Sequence, residues 1–175
     1  MTDRVTLRAF VEDDLPFLDR LDTDHEALGP FEWLGVRDPR ARRRRWERDR
    51  FVSAESTAVA VVLADGTVAG IGSWRAQDRG GPPGGCYEIG LALLPEHRGR
   101  GLGTAAQRLL VDHLFGFTIA NRLEATTEAD NLAEQKALER IGFTREGVLR
   151  GAGFRAGAWR DLVLYALLRE RWGSG

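Results

Sequence analysis

The chain has one cysteine and one methionine in 175 residues, and Lys136 is its only lysine. A single thiol, Cys86, provides no disulfide framework, which excludes the small secreted folds that depend on one. No apolar run approaches the length needed to cross a bilayer. Met1-Thr2-Asp3-Arg4 is not followed by the apolar stretch of a secretory leader, so the sequence predicts a cytoplasmic protein with no membrane partner. An excess of charge is also missing: 25 basic and 26 acidic residues give a net charge of -1, too little for a global field that would hold the molecule on nucleic acid. His25, His97 and His113 lack metal-ligand spacing, and no metal is expected; His113 lies on an apolar helical stripe and is expected to be packed. With no Pro/Ser-rich linker and no internal repeat, residues 1–175 read as a single domain.

What is present is an alternation of strand and helix signals. Val5 to Val11 alternates as a strand, and Glu12-Asp13-Asp14 precedes a helix with Leu15, Leu18 and Leu21 on one face. Thr57 to Leu63 and Thr67 to Trp74 flank Asp65-Gly66, a hairpin signal. Gln77 to Gly85, with four glycines and two prolines, reads as a flexible connection to a strand over Tyr87 to Leu94. Leu102, Ala105, Ala106, Leu109, Leu110, His113 and Phe117 recur at helical spacing. Arg122 to Thr126 reads as a strand and Asn131 to Ile141 as a helix closed by Gly142. Two last strands, near Phe143 to Arg150 and Trp159 to Leu168, are expected to turn through Gly151 to Gly157. The pattern implies an α/β fold with a partly antiparallel sheet.

Between the strand ending at Leu94 and the helix starting at Leu102 lies Pro95-Glu96-His97-Arg98-Gly99-Arg100-Gly101-Leu102-Gly103-Thr104. Glycine permits positive φ, so successive N–H groups can converge on one set of oxygens where the helix dipole also favours an anion. Arg98 and Arg100 add charge, and a phosphate or pyrophosphate is the expected guest. A P-loop is excluded, because Thr104-Ala105 follows Gly103 where lysine and a hydroxyl residue are required. Gly101-Leu102-Gly103-Thr104-Ala105-Ala106 formally matches a dinucleotide fingerprint with Glu124 as its acidic partner. Against it, Pro95 to Arg100 separates strand from glycine, and the chain beyond Gly103 is too short for a full doubly wound sheet.

The order Arg98-x-x-Gly101-x-Gly103 between strand and helix resembles the acetyl-coenzyme A site of the GNAT superfamily of N-acetyltransferases. Asn131, Lys136-Ala137-Leu138-Glu139-Arg140-Ile141-Gly142-Phe143 and Arg145-Glu146-Gly147-Val148-Leu149-Arg150 are similar to the ribosomal-protein N-terminal acetyltransferase (RimJ/RimL-like) branch. So are Val5-Thr6-Leu7-Arg8 with Asp13-Asp14-Leu15 and the ending Gly157 to Leu168, so the likeness runs nearly end to end. It implies a mixed, largely antiparallel sheet of about six to seven strands flanked by helices. It also implies acetyl-coenzyme A as donor, without an acyl-enzyme, and a primary amine on a protein N-terminus or small molecule as acceptor. A ribosomal protein is one such partner, and a homodimer is compatible with the family. A module that binds acyl-coenzyme A without catalysis is the competing class.

On that resemblance, backbone amides at Leu91 and Leu93 bind the pantetheine arm and the thioester oxygen, where apolar side chains are no objection. Residues Arg98, Gly99, Arg100, Gly101, Leu102, Gly103 and Thr104 hold the pyrophosphate, and Asn131 faces the pantetheine amides or caps its helix. An ammonium must lose a proton before it attacks, and Glu88, interrupting an apolar strand, is the candidate base. Phe31, Glu32 and Trp33, with Trp46, stand in the cover expected over the acceptor. Many relatives protonate the leaving thiolate with a tyrosine where this chain has Leu138, and the branch often has serine where this chain has Glu134, so neither familiar general acid is present. The run Arg40, Arg42, Arg43, Arg44, Arg45, Arg48 and Arg50, interspersed with acids, reads as a solvated helix, with contact to ribosomal RNA as the sharper alternative.

Overall fold

In a computed structural model, which describes residues 4–32 and 35–173, the elements are β1 (Val5–Arg8), α1 (Leu15–Thr23), α2 (His25–Leu28), α3 (Ala41–Asp49), β2 (Ser56–Leu63), β3 (Val68–Ala76), β4 (Cys86–Leu93), α4 (Leu102–Phe117), β5 (Arg122–Glu128), α5 (Leu132–Arg140), β6 (Thr144–Arg155), β7 (Ala158–Leu168) and α6 (Arg169–Trp172). The strands form one seven-stranded sheet in the order β1-β2-β3-β4-β5-β7-β6. Every neighbouring pair is antiparallel except β4 and β5. That parallel pair is short, joined only at Cys86–Arg122, Tyr87–Leu123 and Glu88–Glu124. Beyond Glu88 the two strands part, because β4 stays registered with β3 as far as Leu93 while β5 stays registered with β7 as far as Glu128.

Each face of the sheet has its own apolar cover. On one, Leu110, Val111, Leu114 and Leu138 of α4 and α5 are buried, with Ile89, Leu123, Val163 and Tyr165 among the strand residues on that side. Leu102 and Ala106 of α4 pack with Val5 and Val61. On the other, Leu15 and Leu18 of α1 and Trp46 of α3 close over Ala58, Ala60 and Val62. Burying side chains of this size stabilises the fold by about 1.5–3 kcal/mol each before entropy is counted. Trp46 belongs to this core, its indole N–H donating to Phe10 O at 3.1 Å, and so does not line an acceptor pocket.

Three expectations are corrected. The buried stripe of α4 runs through Leu102, Ala106, Gln107, Leu110, Val111, Leu114 and Phe115. His113 and Phe117 are exposed, their rings 5.3 Å apart, and His113 also meets Trp74 at 5.3 Å. A helix turns 100° per residue, so a stripe drawn through Ala105 and Leu109 lies one position off the true axis of burial. Strand β1 ends at Arg8, since Asp14 accepts from Val11 N at 2.9 Å and from Arg8, drawing the chain into a 3₁₀ turn over Glu12–Asp14. The last turn is the pair Ala156-Gly157, both at positive φ (50° and 78°), while Gly151 to Gly153 form a bulge inside β6.

The arginine run is α3 with its flanks, and its charges are answered locally. Arg42 bonds Asp22, Arg43 meets Asp19 at 2.5 Å, Arg48 meets Asp49 at 2.9 Å, and Arg44 pairs with Asp38. Arg50 stacks 3.9 Å from the Trp46 ring. The solvated-helix reading describes this segment better than a nucleic-acid patch does.

Candidate active site

Where β4 and β5 diverge, a cleft of about 680 Å³ opens between them, lined by Ile89 to Leu93, by Ala125 to Thr127, by the glycine loop and by the start of α5. Beyond Glu88 the edge of β4 that faces β5 has no strand partner among the described residues, so it presents backbone groups as an open sheet edge does. Leu91 and Leu93 line the cleft while packing on the α4 side, so core and cleft roles coincide.

At one end of the cleft stands the N-terminus of α4, capped by Gly101 in the left-handed region (φ 78°), with no side-chain cap and no acidic residue in the first turn. Gly99 is also at positive φ (73°). The first intrahelical bond is from Ala105 N to Gly101 O, so the amides before it await an acceptor from outside the helix. Gly99, Gly101, Gly103 and Thr104 line the cleft; the side chain of Leu102 is fully buried in the core and leaves only its backbone to the loop. Arg100, outside that lining, is exposed. A pyrophosphate fits this end: an uncapped sixteen-residue helix offers N–H donors and a positive dipole end.

Arg98 also borders the cleft, but its guanidinium is engaged by carbonyls. Its guanidinium donates to Leu93 O at 2.8 Å, Ala27 O at 2.7 Å and Glu26 O at 3.3 Å. Burial against these carbonyls lowers its pKa from the ordinary arginine value, with Glu96 opposing. The side chain that adds charge to the loop in the sequence therefore clamps the loop to the end of α2. Gly29 lies against it at φ +84°, where a Cβ would stand 3.0 Å from Arg98 Nη1.

At the other end are carboxyls. Asn131 caps α5, its side chain accepting from Glu134 N at 3.3 Å, and also lines the cleft. Glu134 accepts a short hydrogen bond from Gln107 Nε2 and lines the same wall. Burial pushes its carboxyl above the usual range, against the pull of Gln107, and the charge of Glu32 pushes it further. Glu32 and Phe31 line the opposite wall, and Glu32 too is raised by the crowding of protein around it, with Arg37 and Arg42 opposing. Phe31 lies beneath Arg155, 5.4 Å from guanidinium to ring, while Arg155 grips Glu128 at 2.5 and 2.7 Å. Trp33 lies outside the described residues. Leu138 is fully buried in the α4–α5 core and does not face the cleft.

Glu88 sits on the face of β4 away from α4, just where pairing with β5 ends. Its Oε1 accepts from Thr126 Oγ1 at 2.5 Å, and its Oε2 accepts from Arg75 Nη2 at 2.6 Å and Gln77 Nε2 at 2.8 Å. Thr126 lines the cleft, and Glu88 reaches it through that hydroxyl. Cys86 is buried with its thiol pKa raised by burial and by Glu124, which makes it a poor nucleophile. A second cavity of about 830 Å³, bordered by His25, Pro95, Phe154 and Gly157, meets the cleft at Gly29, Pro30 and Arg98. Sequence reasoning had no role for Gln107, Thr126 or Arg155; a polar residue on the buried stripe of α4 was the available signal for Gln107.

A sequence model described as "Acetyltransferase (GNAT) domain" matches residues 4–144. The chain belongs to the GNAT acetyltransferase family. It is 34% identical over 113 residues to "Putative ribosomal N-acetyltransferase YdaF" of Bacillus subtilis, which covers 65% of this chain and 60% of that relative. The chain spans about half the length of two further curated Bacillus N-acetyltransferases that it matches. Among solved structures, Mycobacterium smegmatis RimJ in complex with CoA-disulfide superposes with a TM-score of 0.78 at 25% identity, covering 98% of this chain and 85% of that one. A spermidine N-acetyltransferase from Vibrio cholerae in complex with CoA and spermine shares the fold, with a TM-score of 0.83 at 18% identity over 96% and 97% of the two chains. The dinucleotide reading of the glycine loop is set aside by this membership.

Proposed function

We propose that this GNAT chain moves an acetyl group from acetyl-coenzyme A to a primary amine, by direct attack of the amine while both substrates are bound. The observation that carries this reading is the parting of β4 and β5 above the uncapped N-terminus of α4. Amides of residues 99 to 104 hold the pyrophosphate, and the unpaired edge of β4 takes the pantetheine arm as a strand would take a neighbour. Leu91 and Leu93 contribute backbone, and Asn131 faces the same arm. The donor supplies an acyl group on a thiolate that leaves readily; the chain supplies position, polarisation and proton transfer.

The amine enters by the cavity beside His25 and Phe154, past Gly29 and Pro30, toward Phe31 and Glu32 on the wall of the cleft. Glu88 takes the proton that the ammonium loses, through Thr126, whose hydroxyl bonds Glu88 and lines the cleft. The acceptor class is a peptide N-terminus or a small polyamine-like amine; the Bacillus relative's name and the Vibrio structure's ligand support one each.

The test is a thermal-shift titration with acetyl-coenzyme A, coenzyme A and NAD, followed by an amine panel of ribosomal-protein N-terminal peptides and polyamines. Stabilisation by the two coenzyme A species and not by NAD is expected. Glu88→Gln is expected to lower turnover about 10²-fold or more while donor affinity stays within about threefold. No stabilisation by either coenzyme A species refutes the reading.

A further inference from the structure

We propose that Glu134 is the general acid of this site, the group that hands a proton to the departing thiolate. The proposal rests on the acetyltransferase reading above and concerns a residue that this reading leaves without a task.

Four observations converge on it. Glu134 is half-buried and lines the cleft at the start of α5, next to Asn131 and across from Glu32. Its Oε1 is held by Gln107 Nε2, which leaves Oε2 to carry a proton toward the cleft. Gln107 is 1% exposed, and its own Oε1 is buried with no partner among the described residues. The Gln107 N–H pulls toward the carboxylate but is outweighed by burial, so the amide fixes one oxygen while the carboxyl is still raised. Finally, the environment favours the neutral form: burial raises the carboxyl and Glu32 raises it further. The other charged groups lining this cleft are Lys136 and Arg140 on the same helix and Arg98, whose guanidinium is engaged by carbonyls.

The step balances. The amine nitrogen forms its bond to the acyl carbon, the carbon–sulfur bond breaks, and its electron pair goes to sulfur. Glu134 gives its Oε2 proton to that sulfur and becomes a carboxylate. Glu88, having released the ammonium proton to solvent, takes the excess proton from the new amide nitrogen through Thr126, and Glu134 regains a proton from solvent at the mouth of the cleft.

The experiment is a binding cycle with a rate measurement beside it. Coenzyme A and a coenzyme A analogue lacking the sulfur are titrated calorimetrically into the parent and into Glu134→Leu. The parent is expected to prefer the thiol by about fivefold to tenfold, as one hydrogen bond to sulfur would give. Glu134→Leu, which has no O–H or N–H to offer the sulfur, is expected to bind both alike. In turnover, Glu134→Gln should lose about 10- to 100-fold in kcat with little change in KM. Glu32→Gln should shift the alkaline limb of the parent's kcat profile to lower pH, because removing that negative neighbour makes Glu134 easier to ionise. Glu134→Asp keeps the acid one methylene back and should recover part of the loss if Glu134→Gln folds poorly. An equal thiol preference in parent and Glu134→Leu overturns the assignment and leaves the acetyltransferase reading standing; no binding of coenzyme A by the parent overturns both.

Discussion

Replacing Arg98 with alanine separates a clamp from a phosphate ligand. The side chain makes two close hydrogen bonds, to Leu93 O at 2.8 Å and Ala27 O at 2.7 Å, and a longer one to Glu26 O at 3.3 Å. A hydrogen bond to a charged donor contributes about 1.5–3 kcal/mol when enclosed. Arg98 is an exposed residue, so water replaces part of what is lost and a net cost of about 2 kcal/mol is reasonable for the set. For a domain of this size each kcal/mol moves Tm by about 2–4 °C, so the ligand-free Arg98→Ala protein should melt about 4–8 °C below the parent. Arg98→Lys should recover little, since one ammonium cannot reach carbonyls of α2 and β4 from the guanidinium's two ends. The assay is a thermal melt of the free protein, paired with coenzyme A titrations at low and high salt. A clamp predicts a lowered Tm and a donor affinity whose salt dependence matches the parent's. An unchanged Tm, with affinity loss that grows at low salt, would refute the clamp and restore Arg98 as a direct phosphate contact.

Other perturbations read other parts of the site. Gly101→Ala should cost about 1–2 kcal/mol, because φ 78° is strained for a side chain although the space is open, and should weaken coenzyme A binding measured by calorimetry. Installing the tyrosine familiar in relatives, Leu138→Tyr, should destabilise by about 1–3 kcal/mol through overpacking a fully buried position and should leave kcat no higher than the parent's. Acid should unfold the protein through its paired carboxylates. Glu124 is held below the usual range by Arg79 and Arg122, Glu128 by Arg155, and Asp14 by Arg8 and the Val11 amide, which outweigh its burial. With folded pKa values depressed, their stabilisation is full above about pH 4.5 and is lost as pH falls through the folded values, so Tm should drop in that window and Glu124→Gln should flatten the drop.

Much of the fold is legible because its signals are local. Asp65-Gly66 makes the hairpin with Gly66 at φ 90°, and α4 spans Leu102–Phe117 because a glycine opens an apolar helical period. Local signals also mislead where two elements need the same residue. Gly151 and Gly153 look like a turn, yet the bulge they form leaves the turn to Ala156-Gly157. Two of the three partners of Arg98 stand 71 and 72 positions earlier in the chain, and the third is a backbone carbonyl, so no side chain near Arg98 announces that its charge is engaged. Glu134 was visible only as the absence of serine. Its environment comes from Gln107 on another helix and Glu32 on a distant loop, and only folding brings these together.

The cleft thereby acquires two unlike ends. At α4 the uncapped helix offers donors and a positive dipole end, which suits an anion. At α5 the same physics should favour ionised acids, since Glu134 also sits in a helix's first turn and helix N-termini lower carboxyl pKa values. Burial and the neighbouring Glu32 prevail there, and the carboxyl is raised. The difference lies in what surrounds each terminus: glycines and solvent at Gly101, an apolar wall and a second acid at Glu134. A carboxyl is pushed toward its protonated form at one end of a groove whose other end attracts negative charge, an arrangement suited to a long anionic donor whose sulfur must leave as a thiol.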